Sequence, residues 1–341
     1  MDWLQTQDSA YINSARLVYR SVRALYRKVR AFKNGLLNLI DRPIIILVYH
    51  RVTDLPTDPE MIAVSPENFR RQMEFLQQNF RIVRFEEDWS KLREPAVALT
   101  FDDGYADNFL EALPILEDLG VPATIFVATG ELGTGRAFWW HQLEAILLRD
   151  GKFPRRFHLH DSRYVRTRET VTPVQRQRLY AELCLLMRRI DPERRADWLK
   201  QLEDWAGVEA MTEDRHRSMT PVELRRLAAS PWVTIGAHTV HHAALSALSE
   251  PQQRQEIFSS RGELERLIDK PVTTFSYPFG RRCEYNRTSI RLCREAGLIK
   301  SAANFPGQVH KWTDQFQLPR HLVRNWNQER FAMELKRFWT R

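Results

Sequence analysis

The chain has 341 residues, 43% of them hydrophobic, with a formal charge of +8 and three cysteines. It is long enough for one large domain or two smaller ones. Three cysteines in no CxxC or Cys–His cluster exclude a disulfide framework and a zinc knuckle, and no apolar run approaches the ~18–20 residues of a membrane span.

The basic excess gathers in the first forty residues and around 155–217, in no nucleic-acid module, so nucleic acid is not the expected partner. An anionic membrane surface or an anionic sugar carrier accounts for it better. Tyr11, Ala15, Val18, Val22, Leu25, Val29, Phe32 and Leu36 recur in alternating steps of four and three, which is a helical stripe. Arg16, Arg20, Arg23, Arg27 and Arg30 run beside it. A basic amphipathic helix is therefore expected over 1–42, either in peripheral contact with anionic membrane through 8–40 or packed on the protein itself. The opening "MDWLQTQDSAY" has no secretory pattern, so a cytoplasmic place is expected, peripheral to the inner membrane if the helix binds there.

From Pro43 short apolar runs alternate with amphipathic helices. "IIILVYH" (44–50), "AVALTF" (96–101), "PATIFVAT" (122–129), "WVTIGAH" (232–238) and "VTTFSYP" (272–278) read as strands. Short runs near 300–304 and 317–323 close the series. Helices are expected over 65–80, 107–120, 250–268 and 287–297, and from about Gln328. This alternation gives a parallel sheet, most simply closed into a barrel over 43–341. A mainly helical insertion at 131–220 interrupts it. The insertion opens on Phe138, Trp139 and Trp140, which either stack on sugar rings or anchor it to the barrel.

In a parallel barrel the chemistry lies at the C-terminal strand tips. Those tips carry His50, Asp102-Asp103-Gly104, His238, Tyr277-Pro278-Phe279-Gly280 and Arg320. Adjacent carboxylates at the end of a buried strand repel each other, and a metal ion is the usual partner. His238 and His242 are four apart and can face one point, with His241 competing as a ligand. Two His and one Asp suit zinc or another divalent transition metal (cobalt, nickel or manganese). Asp103 would then be a ligand, leaving Asp102 as the base that deprotonates water.

"LTFDDGY", "GAHTVHHAAL" and "FSYPFG" together resemble the polysaccharide deacetylase family, the NodB-homology domain of carbohydrate esterase family 4. The resemblance covers about 43–130 and 220–325. It implies a distorted (β/α) barrel of seven or eight strands and metal-dependent de-N-acetylation of an amino sugar. It makes Asp102 the base and Asp103, His238 and His242 the metal ligands, with His241 a spare. The family's third motif carries an Arg that steadies the base, and Ser276-Tyr277-Pro278-Phe279 lacks it. Arg320 is the candidate replacement, and the backbone N–H of Phe279 is the candidate oxyanion donor. No late general-acid His has a clear counterpart. His321 neighbours Arg320, but adjacent strand residues face opposite ways. "LVYHRV" resembles a subgroup of permuted strand order, poly-N-acetylglucosamine deacetylases among them, which makes His50 the better acid.

The expected function is removal of an N-acetyl group from an amino sugar of a polysaccharide, glycolipid or sugar precursor in cell-envelope biosynthesis. Two alternatives stand beside it: a deformylase or other amide hydrolase of the same fold, and a non-catalytic glycan-binding or scaffold protein.

Overall fold

The computed structural model describes residues 35, 37–38, 40–161, 165–208 and 214–339. The basic helix expected over 8–40 lies almost wholly outside them. Eight strands build the main sheet: β1 (Ile44–Tyr49), β2 (Arg81–Val83), β3 (Ala96–Phe101), β4 (Ala123–Val127), β5 (Val233–Ala237), β6 (Thr274–Ser276), β7 (Lys300–Ala302) and β8 (His321–Leu322). Their order is β7-β6-β5-β4-β3-β1-β8, and every pairing is parallel. β3 has β1 along its whole length on one side, while β2 pairs its first half and β4 its last two residues on the other. The two edges meet through the segment before β8, where Leu318 N–H donates to Ser301 O (3.0 Å) and Ala303 N–H to Leu318 O (2.8 Å). The sheet thus curls into the distorted (β/α) barrel that was expected. The sequence reading passed over β2, a three-residue strand without an apolar run.

Local chemistry sets the element ends. Ser65 caps α1 (Pro66–Asn79), its hydroxyl accepting from Asn68 N–H at 3.2 Å, with proline in the first turn. The helix expected over 107–120 starts instead as a π-helical turn (Asn108–Ala112) and becomes α-helical at α2 (Leu113–Leu119). Gly120, at φ 63°, ends it.

Side-chain parity sorts each strand into two cores. Ile45, Leu47, Tyr49, Val97, Leu99 and Phe101 point outward and pack with Phe69, Met73 and Leu76 of α1. Ile44, Ile46, Ala96, Ala98, Phe126, Ala302 and Leu318 point inward, where Phe85 and Trp89 close the barrel floor. Each such buried aliphatic side chain contributes about 1.5–3 kcal/mol relative to exposure, so a one-residue slip in register would invert both cores at once. Carried past the strand tips, the same parity places His50, Asp102, His238, Ser276 and Arg320 on the inward side.

The 131–220 segment has its own core. Helices α3 (Trp139–Leu147), α4 (Pro173–Met187) and α5 (Pro192–Ala206) pack around Leu143, Leu179, Leu183, Trp198 and Leu202. An antiparallel hairpin, Arg156–His160 with Val165–Glu169, was absent from the expectation of a mainly helical insertion. Phe157 and Leu159 alternate inward along its first strand, a two-residue period hidden in an Arg- and His-rich sequence.

Candidate active site

Asp102 continues β3 by one residue, its N–H donating to Tyr49 O at 3.0 Å. The chain then turns through Asp103 (φ 76°) and Gly104 (φ 85°). A Cβ at Gly104 would lie 2.8 Å from Val127 Cγ1, so the turn requires glycine. The left-handed backbone at Asp103 brings its carboxylate beside that of Asp102, although neighbouring residues would otherwise diverge. Six described non-glycine residues have positive φ, and four of them, Asp103, Thr239, His242 and Phe279, belong to this site. Backbone strain is therefore concentrated where the side chains converge.

The two carboxylates have different surroundings. Asp102 is gripped by Arg320, with Nη1 to Oδ1 at 2.8 Å and Nη2 to Oδ2 at 2.6 Å. Ser276 Oγ donates to Asp102 Oδ2 at 3.2 Å. Arg320 is itself fixed by Ala303 O, Thr100 Oγ1 and Ser276 Oγ. Burial, the largest single influence, raises the Asp102 carboxyl, but the charge and hydrogen bonds of Arg320 together with His238 and His50 outweigh it and hold the group below the usual carboxylate range. Asp102 is thus an ionised carboxylate locked in one orientation.

Asp103 Oδ1 is buried and has no hydrogen-bond partner among the described residues. It lies 3.4 Å from His238 Nε2 and 3.3 Å from His242 Nε2, and the three donor atoms fall within 4.8 Å of one another. His238 Nδ1 is 2.7 Å from Ser276 O, a contact only a protonated Nδ1 makes favourably, which leaves Nε2 facing Asp103 as the nitrogen free to ligate. Converging lone pairs and an unpartnered carboxylate oxygen fit a divalent transition metal. Asp103, His238 and His242 are the residues that could hold it.

The loop carrying the imidazoles is held from outside. Glu256 Oε2 accepts from Val240 N–H and His241 N–H, both at 2.9 Å, and Oε1 lies 2.7 Å from His241 Nδ1. His241 therefore anchors the loop and is not a third imidazole ligand. Two rings brace His242: Trp140 with centroids 4.9 Å apart and Phe279 at 4.6 Å. Phe138 stacks flat on Trp140 at 4.7 Å. This aromatic pair joins the insertion to the loop of His238 and His242, while Trp139 lines the cavity.

The cavity has a volume of about 190 Å³ and includes His50, Asp102, Asp103, His238, His242 and Phe279. Burial lowers the His50 pKa, against the raising effect of Asp103 and Asp102. His321 faces the other way: it stacks on Phe338 with centroids 4.0 Å apart, and its Nε2 lies 2.9 Å from Gly307 O. Phe279, at φ 58°, precedes Gly280, where a Cβ would come 2.5 Å from Asn304 N. All the residues singled out in the sequence except His321 and the spare His241 meet in one place. Sequence reasoning missed the roles of Ser276 and Glu256, and missed Arg188, Arg281 and Arg324 at the cavity mouth. Strand parity could have found Ser276; Glu256 sits on the helix Glu250–Ile268 and the three arginines in loops or the insertion, all without a local signal.

Comparison with known proteins agrees with this geometry. YxkH of Bacillus subtilis, named as a member of the same family as the motifs suggest, is 22% identical over 286 residues, 82% of this chain and 70% of its own length. The fold is shared with BC0361, a polysaccharide deacetylase from Bacillus cereus, at 18% identity and a TM-score of 0.54, covering 86% of this chain and 69% of that one. It is also shared with the Streptococcus pyogenes deacetylase PplD, solved with acetate, at 18% identity and a TM-score of 0.51, covering 86% and 98%. The polysaccharide deacetylase family pattern matches residues 90–182 and 193–300. With more than half of its length matched, the chain belongs to the polysaccharide deacetylase family, hydrolases of carbon–nitrogen bonds.

Proposed function

We propose that this protein is a metal-dependent de-N-acetylase of an acetamido sugar, with zinc the best fit to two imidazoles and one carboxylate. The observation that carries the reading is the division of labour between adjacent carboxylates: Arg320 saturates Asp102, whereas Asp103 is left facing two imidazoles. A metal held there supplies Lewis acidity to the attacking water and to the acyl oxygen. Asp102 accepts the proton that water loses as its oxygen bonds to the acyl carbon. Arg320 keeps that carboxylate ionised and correctly turned. The Phe279 N–H donates to the developing oxyanion. His50 delivers a proton to the amine as the C–N bond breaks, giving acetate and the free amino sugar.

The early position of His50, at the tip of β1, supports a place in the permuted subgroup. The basic stripe over 8–40 supports peripheral contact with an anionic membrane from the cytoplasmic side, which liposome co-sedimentation with and without residues 1–40 tests. The decisive experiment measures acetate release from N-acetylated sugars by protein loaded with zinc or cobalt. Release that requires the metal and is lost in Asp102→Asn is expected. No release from any acetylated sugar, with metal bound, would sink the reading.

A further inference from the structure

We infer that the sugar bound here carries a phosphate or diphosphate ester, recognised by Arg188, Arg281 and Arg324 at the mouth of the cavity; this rests on the reading of the site as one for an acetamido sugar. The three guanidiniums line the same cavity as Asp103, His238 and His242. They arrive from three separate places: the end of α4 in the insertion, the loop after Gly280, and the chain after β8.

Their charge is only partly compensated. Arg324 Nη1 donates to the carbonyl oxygens of Glu60 and Met61, which orient the group without neutralising it. Burial lowers its pKa and outweighs the raising effect of Asp58 and Glu60. Arg281 is exposed and makes no ion pair among the described residues. Arg188 lies over the Phe279 ring, 4.8 Å from its centroid, and reaches Glu60 Oε2 only at 3.4 Å. Its buried Nε has no hydrogen-bond partner among the described residues. Glu60 also accepts from Tyr180 Oη at 3.2 Å, so its one carboxylate is shared between Arg188, Arg324 and a hydroxyl, with Asp58 the other carboxylate acting on Arg324. Hydroxyls of a neutral glycan would satisfy N–H donors and leave this charge in place. A phosphate answers both needs, because a guanidinium fork matches its oxygens.

The space beyond agrees. Glu60, Cys184 and Arg188 also line an adjoining groove of about 1090 Å³ along α3 and α4. That is more room than a single sugar takes, and Ala145, Leu148, Ala181 and Leu185 give it apolar wall. The group esterified to the phosphate would enter here.

Titration calorimetry on the metal-loaded full chain tests the inference, with N-acetylglucosamine and its 1-phosphate as paired probes. The phosphate ester should bind at least about ten-fold more tightly. That ratio should fall toward one in an R188Q/R281Q double variant, and R188K/R281K, which keeps the charge, should recover part of it. A ratio near one in the wild type would overturn the inference. So would an undiminished ratio in the double variant, since it would place the phosphate elsewhere. UDP-N-acetylglucosamine and a detergent-solubilised N-acetylglucosaminyl-diphospho-polyprenol identify the source: tighter binding of either supports the inference, and binding of neither above the neutral sugar overturns it. Because binding is read, failure to release acetate would count against the deacetylase reading and leave this one standing.

Discussion

Arg320 and Asp102 form a buried two-pronged ion pair across the barrel, from the residue before β8 to the tip of β3, with contacts of 2.8 and 2.6 Å. Removing one partner of such a pair strands the other charge, which costs about 3–5 kcal/mol. Arg320→Ala should therefore lower both stability and rate. With Arg320 gone, burial pushes the Asp102 carboxyl up against only the charges of His238 and His50, and the carboxylate is no longer held in one orientation. A drop in kcat of about a hundred-fold or more is expected, with metal content preserved and the urea midpoint reduced. Arg320→Lys restores charge without the fork and should fall between the two. A wild-type rate in Arg320→Ala would detach this pair from the chemistry.

The carboxylates should also separate by metal content. Asp103→Ala removes one of three donors, and elemental analysis should show the divalent metal lost after identical purification. Asp102→Asn keeps the volume and all three donors, so metal should stay while acetate release disappears. Metal loss in Asp102→Asn with retention in Asp103→Ala would reverse the two assignments.

His50 shares the cavity with both carboxylates, whereas His321 is packed against Phe338. His50→Ala should slow turnover by about a hundred-fold, the scale of a lost general acid, with metal retained. His321→Ala should act on stability through the lost ring stack and leave kcat near wild type. If His50→Ala turns over normally, the leaving amine takes its proton from another donor.

The legible part of this molecule is the part with a strict period. Ala96, Ala98, Thr100 and Asp102 share one parity, as do Leu318, Arg320 and Leu322, so alternation alone said that Arg320 and His321 face opposite ways; that Arg320 is the inward one came from the structure. The convergence of His238 and His242 was readable from spacing, but the positive φ of Thr239 and His242 that aims them was not. That geometry depends on Glu256, which lies on the helix Glu250–Ile268 and bonds back to the loop. The insertion was the least legible. Trp140 packs on His242 and Arg188 reaches the cavity mouth through tertiary contacts a hundred residues from the barrel motifs they serve. No local pattern in "FWWHQLEAILLR" distinguishes a brace from a sugar platform.

A last expectation concerns acid stability through His216. Its Nδ1 lies 2.9 Å from Arg51 Nη1, and a guanidinium only donates, so this nitrogen accepts and the ring is neutral. Arg51 is fully buried and paired with Asp107 at 2.9 Å, so it cannot swing away when the ring charges. Burial, then the neighbouring His141 and Arg51, lower the His216 pKa from 6.5 to about 4. The unfolded chain therefore binds the proton more readily than the folded one between those two values. Stability should fall as pH drops through that window and level off below about 4 as far as this residue is concerned. His216→Gln keeps an acceptor for Arg51 without titrating, so it should lose less stability than the wild type between neutral pH and the lower end of that window. Urea midpoints of the two proteins at pH values spanning it measure the difference directly. Equal losses would mean that His216 takes up its proton in the folded state as easily as in the unfolded one.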